Sequence, residues 1–334
     1  MSFTRVAIGV VWLAAGCACF GKGVDFRGEG KFGFFGKTSA AFLMAKEGGR
    51  FLGQADGFIE AMSPFDRSAR LMTAREVSTK ELLRHASAQS RNWTPGEMTK
   101  VRRNMEAIAD GMAGFKLQFP PTVFFIKTTG REEGNAAYTR LNAIILPAVK
   151  LKQKDASLRR LLAHELFHVL SRANPKLATR LYRIIGYEPA PALKFPAELL
   201  PRKLTNPDAP FSRHVIEICH EGRAVKVAPI LYARADKYDE KLGGPFFRYL
   251  IFRLLVLDEK DRSRAARDAD GRLILLKPDE ASGFHEKVGR NTGYIIHPEE
   301  TMADNFVFLA LGRGNLPHPE IVRAARVVLQ RGGK

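Results

Sequence analysis

The run His164-Glu165-Leu166-Phe167-His168 constrains this chain more than any other. It stands inside a helix expected over 155–172, where Leu158, Leu161, Leu162, Val169 and Leu170 recur at helical spacing, with Asp155 or Ser157 as the cap and Pro175 beyond the end. Four residues turn a helix by about 400°, so both imidazoles project from nearly the same face with the Glu165 carboxylate beside them. Two imidazoles so placed can bind one metal ion. A zinc site built on two His needs a third protein ligand and one open position, so the fold has to bring a distant side chain to this helix.

The segment His297-Pro298-Glu299-Glu300-Thr301-Met302-Ala303-Asp304 supplies that candidate. Pro298 starts a helix expected over 298–311, with Gly312 after it, and Glu300 and Asp304 share a face. Adjacent helical positions differ by about 100°, so Glu299 points elsewhere, and with Ala303 one turn on its removal is expected to be nearly silent. At these residues the sequence resembles the gluzincin group of zinc metallopeptidases, the thermolysin-like class, in which an H-E-x-x-H helix is completed by a downstream helix carrying E-x-x-x-D. The resemblance implies one zinc per chain, held by His164, His168 and Glu300, with Glu165 as catalytic base and Asp304 as the acid that orients His164. It also implies an α+β zincin-like domain in which two subdomains flank a zinc cleft. The resemblance covers these two motifs and their order. No Gly-x-Met-Glu-Asn segment of the aminopeptidase branch is present, so nothing suggests recognition of a free amino terminus.

A zinc ion on two neutral imidazoles and one carboxylate keeps positive charge, polarises a scissile carbonyl and acidifies its water, whose proton Glu165 can accept and pass to the leaving amine. The developing oxyanion needs a donor; Tyr294, His297, His214 and His220 are candidates, and Tyr294 leads because it lies close in sequence to Glu300. Tyr138, Arg140 and Asn142 belong to a segment that, as an exposed strand, can add an extended peptide by main-chain hydrogen bonds. The expected function is a zinc-dependent endopeptidase acting on peptide or protein. The alternative is an exported surface-binding lipoprotein that keeps a zinc site without turnover; intact Glu165 argues against it, since only catalysis needs a carboxylate there. A third reading is a basic envelope protein that binds anionic polymers.

Composition sets the outer limits. With 334 residues, 45% hydrophobic, the chain is neither disordered nor a multi-span membrane protein. A net charge of +18 is spread along the sequence without a nucleic-acid-binding signature, so no specific nucleic-acid partner is expected. The amino terminus carries Arg5 and an uncharged run over 6–20, too short to span a bilayer but sized for a secretory signal. It ends in Ala14-Ala15-Gly16-Cys17, which resembles the lipobox of bacterial lipoproteins, so the chain reads as exported to the cell envelope and anchored in a membrane through Cys17. Ordinary cleavage after Ala18, giving a secreted protein, is the competing reading. Whether Cys19 and Cys219 pair stays open.

The expected organisation is a signal over 1–16, a Gly-rich tether over 17–57 and one metallopeptidase domain over 58–334. Thr94-Pro95-Gly96-Glu97 announces a helix whose buried face is Met98, Val101, Met105, Ile108 and Met112. Strands over 123–126 and 137–146 read as a hairpin, and Glu132-Glu133 between them as a solvated turn. A helix reaches Ile185, six prolines over 188–212 impose an extended wrap, and two strands meet at Glu221-Gly222. Further strands are expected over 246–257, where a helix is the alternative, and over 273–276, and the basic run over 262–267 reads as a solvated loop.

The lipobox resemblance makes a direct prediction. Mass spectrometry of the mature protein should find acylated Cys17 as its first residue; a free amino terminus at Cys19 would show ordinary secretion instead.

Overall fold

The computed structural model of the chain describes residues 26–332; the signal segment, Cys17 and Cys19 lie outside the described residues. The fold is α+β. The first half runs β1 (Glu29–Phe35), β2 (Thr38–Leu43), α1 (Ala45–Leu52), α2 (Gly57–Glu60), α3 (Pro64–Arg70), α4 (Thr79–Ala88), β3 (Ser90–Arg91), α5 (Pro95–Gly111), β4 (Thr122–Thr128), β5 (Tyr138–Arg140), β6 (Ala143–Pro147) and α6 (Asp155–Ala173). The second runs α7 (Pro175–Ile184), β7 (Tyr187–Pro189), β8 (His214–His220), β9 (Arg223–Ala233), β10 (Leu250–Val256), β11 (Leu275–Leu276), α8 (Phe284–Val288), α9 (Pro298–Ala310) and α10 (Pro319–Arg331). Among the described residues no helix is long and apolar enough to cross a membrane.

The first sheet has the order β1-β2-β4-β6-β5, with β3 paired to β4. The second, β11-β10-β9-β8-β7, is antiparallel throughout. One apolar core runs between them through α5, α6, α9 and α10, from Phe42 and Phe125 through Leu162, Leu166 and Phe306 to Ile216 and Leu254. The helix α5 is built as its sequence demands. Thr94 and Glu97 form a reciprocal capping box, Pro95 opens the first turn, and Val101, Met105, Ile108 and Met112 are buried. In α6 the N-cap is Lys154 with no side-chain cap; Asp155 is instead held by Arg103 and the Asn104 amide at 2.5 and 3.3 Å.

Several expectations are corrected. From residue 29 onward the Gly-rich segment is no tether: β1 and β2 are sheet strands, and Ala40, Phe42 and Leu43 are fully buried. Gly28 and Gly48 mark close packing. A Cβ on Gly28 would sit 2.4 Å from that of Ala41, and one on Gly48 2.4 Å from Ser90 Oγ. The strands over 122–128 and 143–147 are parallel neighbours, not a hairpin. The hairpin is β5–β6, turned at Leu141-Asn142 with Leu141 at φ +51°, and β6 slots in beside β4. No Gly or Asn-Gly pair marks that turn, so the segment reads as one strand in sequence. Residues 246–249 form a 3₁₀ turn before β10, and α10, a helix beyond the sequence expectations, packs Ile321, Ala325 and Leu329 into the core.

Glu132 and Glu133 are buried at 4% and 2% exposure, not solvated. Glu133 receives Arg70 Nε and Nη2 at 2.8 and 2.6 Å, and Arg70 Nη1 reaches Asp66 Oδ1 at 2.5 Å. The guanidinium lies 4.3 Å from the Phe246 ring centre. Burial pushes the Glu133 carboxyl up to about 7 against the pull of Arg70. The cluster also grips the Pro-rich wrap, because Thr205 N–H donates to Asp66 Oδ2 at 2.8 Å and Thr205 O accepts from Arg70 at 3.2 Å.

Replacing the cation would leave two buried carboxylates facing each other. Arg70→Met is expected to cost about 3–5 kcal/mol of stability, read from urea unfolding; a loss below about 1 kcal/mol would show that the cluster is not a structural anchor.

Candidate metal centre

The two motif helices lie against each other. On α6 the residues Leu158, Leu162, Leu166, Phe167 and Leu170 are buried, and every residue of α9 is buried, including Glu299, Glu300 and Asp304. Carboxylates in such a helix persist only when cations or hydrogen-bond donors meet them. The donors come from α6 and from loops on either side.

The expected ligands converge. His164 Nε2 lies 3.1 Å and His168 Nε2 3.5 Å from the same atom, Glu300 Oε2. The opposite ring nitrogens are held separately: His164 Nδ1 by Asp304 Oδ1 at 3.2 Å, His168 Nδ1 by Glu299 Oε1 at 2.7 Å. A hydrogen bond from Nδ1–H to a carboxylate leaves Nε2 with its lone pair toward a metal, the usual support of a histidine ligand. Glu300 is steadied through its other oxygen by the Asn206 amide at 2.6 Å, and Asp304 by Thr292 Oγ1 at 2.5 Å.

Glu299 is a correction to the sequence reading. It does point away from the three converging atoms, as the 100° step requires. It points to the far side of His168, where Ser171 Oγ also donates at 2.5 Å and the Tyr182 hydroxyl donates to its other oxygen. Each imidazole therefore has its own buried carboxylate. The signal was present: once Asp304 serves His164, the buried His168 needs an equivalent.

Asp208 and Asn206 were missed altogether. Both come from the Pro-rich wrap, and Asp208 stands within 4.8 Å of the chemistry-bearing atoms of Glu165 and His168. Thr139 donates to Asp208 Oδ1 through its backbone N–H at 2.8 Å and its hydroxyl at 2.5 Å. That contact covers the edge of β5, so the exposed substrate strand is not there. The three candidate side chains have structural work: Tyr138 is buried against Phe58, Arg140 pairs with Asp56 at 2.8 Å and caps the Leu52 and Gln54 carbonyls, and the Asn142 amide donates to Thr122 O.

Among the oxyanion candidates, Tyr294 lies against the centre. Its ring stacks on His164 with centroids 5.9 Å apart, and its loop is tied to α9 by Thr292 and by Thr301 Oγ1 on Tyr294 O. The side chain is 42% exposed. Loss of hydration and the charges of Glu300, Asp208, Glu165 and Asp304 raise its phenol well above the ordinary value, so it stays a proton donor. His297 caps α9, its Nδ1 accepting Glu299 N–H at 3.1 Å. His214 packs edge-on to Tyr182, and His220 sits beside Glu221 at the β8–β9 turn.

The centre holds charges of both signs, since Arg160 stands 3.7 Å from Asp304 and Arg172 3.9 Å from Asp208 beside the two imidazoles. Against burial, which lowers it, the hydrogen bonds of Asp304 and Glu300 raise His164 to about 9, and Asp208 and Glu300 hold His168 well above its ordinary range. Burial and then the charge of Asp208 push Glu165 up to about 8. The donor set fits zinc: two imidazole nitrogens and one carboxylate oxygen converge, and His168 Nε2 and Glu165 Oε2 are buried with no hydrogen-bond partner in the protein. Compared with known proteins, the chain shows no match to a family model, a curated protein or a solved structure.

The geometry ranks the acidic residues of α9. Glu300→Ala should abolish zinc uptake, whereas Glu299→Ala and Asp304→Ala should each weaken zinc affinity by about 10- to 100-fold. Competition titration with a chelating dye measures all three, and full affinity in Glu299→Ala would remove its role in holding His168.

Proposed function

We propose that this chain is a zinc-dependent endopeptidase with a zincin-like domain, exported to the cell envelope and lipid-anchored through Cys17. The observation that carries the reading is the convergence of His164 Nε2, His168 Nε2 and Glu300 Oε2, each ring held from behind by its own carboxylate, with buried Glu165 alongside. A purely structural site has no use for Glu165, whose burial is costly and whose Oε2 meets no protein donor.

His164, His168 and Glu300 would hold the zinc. When bound, the ion supplies Lewis acidity to the scissile carbonyl and to water. Glu165, which the positive charge of a bound ion would return to the carboxylate form, accepts the proton that water loses as its oxygen bonds to the carbonyl carbon. It returns that proton to the amide nitrogen as the C–N bond breaks, so a carboxylic acid and an amine leave and Glu165 is regenerated. The Tyr294 hydroxyl donates to the carbonyl oxygen as it gains charge. Asp304 and Glu299 keep the two imidazoles in register.

Metal analysis of protein purified without added metal should find one zinc per chain. Glu165→Gln should retain that zinc and lose peptide hydrolysis by about 10²- to 10⁴-fold, since the amide keeps the shape and takes no proton. Hydrolysis is followed on a mixed peptide library with and without chelator. Undiminished turnover in the variant removes Glu165 from the mechanism. Zinc binding without any chelator-sensitive cleavage by the wild type favours the surface-binding alternative.

A further inference from the structure

The candidate centre is sealed. Glu165, His168 and Glu300 are 3%, 1% and 1% exposed, so a peptide has no path to the groups that would act on it. Two side chains of the Pro-rich wrap contribute to the seal. The Asn206 amide sits on Glu300 Oε1 at 2.6 Å, and the Asp208 carboxylate stands within 4.8 Å of the chemistry-bearing atoms of Glu165 and His168. Asp208 is itself turned inward, its side chain 8% exposed.

Residues 206–210, Asn-Pro-Asp-Ala-Pro, are lightly secured for a segment in such a place. Their two prolines offer no backbone donor, and the stretch joins neither sheet. Among the described residues, every hydrogen bond from 206–210 to the rest of the chain runs through Asn206 or Asp208. Thr139 meets Asp208 Oδ1 with its N–H at 2.8 Å and its hydroxyl at 2.5 Å, and Arg172 donates to the Asp208 carbonyl at 3.5 Å. The chain is fixed on both sides of this stretch. Upstream, buried Thr205 is held by Asp66 and Arg70; downstream, the Ser212 and Arg213 carbonyls accept from Leu193 and Ala190. A short span between firm anchors, tied down by a few polar contacts, opens at far lower cost than the surrounding core.

We propose that residues 206–210 are an autoinhibitory strap: closed, they keep substrate from the zinc centre, and release of Asp208 from Thr139 opens it. The consequence for catalysis rests on the peptidase reading above. Only the open fraction of molecules cleaves, so the measured rate is the open-state rate multiplied by that fraction. Asp208 sets the fraction, because it stands beside Glu165 and also carries the strap's contacts with β5. The Asn206 bond to Glu300 leaves with the strap. Asp304 and Glu299 belong to α9 and stay on their imidazoles, so the ligand set keeps its support when the strap is off.

The test compares the full-length wild type with Asp208→Ala and with Thr139→Val, which removes one hydroxyl and touches no proposed ligand. Zinc release into excess chelator and zinc uptake by the metal-free protein should both quicken about tenfold in Asp208→Ala, the scale of one charge-assisted hydrogen bond. Thr139→Val should quicken both by a smaller factor. Acceleration in both directions reports a cleared path. Faster release with unchanged uptake reports a weakened site and overturns the strap, as do unchanged rates in both variants. Hydrolysis of a mixed peptide library should rise in step with the zinc rates, a gain that loss of a merely structural residue does not produce; a fall in Thr139→Val overturns the strap. The two readings separate cleanly. Faster zinc exchange in both directions with no cleavage by any of the three proteins leaves the strap and removes the peptidase, whereas cleavage by the wild type with unaltered zinc exchange in the variants removes the strap alone.

Discussion

The contact of α6 with α9 is the interaction on which the rest of the molecule depends. Helix α9 is buried along its whole length although its first two turns carry Glu299, Glu300 and Asp304. Ionised groups in such a place cost several kcal/mol each unless they are matched. The matching groups are two imidazoles one turn apart on α6, so neither helix is satisfied alone. Their apolar faces close the core through Phe167 and Phe306, whose rings lie 5.5 Å apart, and their polar faces close the candidate metal centre. Packing and chemistry thus share one interface, and the position of each imidazole is set by the same contacts that seal the core.

The Pro-rich wrap completes that interface from outside. Proline removes backbone donors, so this stretch cannot join a sheet as a central strand and runs as an extended cover. It is pinned at Thr205 by Asp66 and Arg70, and the next residues deliver Asn206 to Glu300 and Asp208 to Thr139. The buried Arg70 cluster therefore acts at a distance on the centre, since it fixes where the wrap begins its contacts. The same wrap lines a cavity beside His297.

Legibility in the sequence followed the range of the physics. Helices α5 and α6 were readable because capping and apolar periodicity are local: Thr94, Glu97 and the Val101-Met105-Ile108 stripe act within a few turns. The segment over 28–52 was misread because Gly28 and Gly48 serve contacts with Ala41 and Ser90, partners that spacing does not reveal. Glu133 looked solvated because Arg70, its counterweight, is far away in sequence, and Glu132 because its donor, Thr128 Oγ1, meets it only once the turn is buried. Asp208 was invisible for the same reason, whereas Glu299 was deducible from the need of His168 for a partner.

The sequence by itself determined which residues share a helix face. It set His164 and His168 one turn apart with Glu165 beside them, and Glu300 one turn before Asp304, because helical rotation depends only on position along the chain. Only the tertiary structure decided what those faces meet. It brought Glu300 to both Nε2 atoms, gave His164 to Asp304 and His168 to Glu299, covered the β5 edge with Asp208, and turned His297 from a candidate oxyanion donor into a helix cap facing a cavity. The reason is energetic: a buried charge takes whichever partner the packing of distant segments delivers, and nothing local to the charge encodes which one that will be.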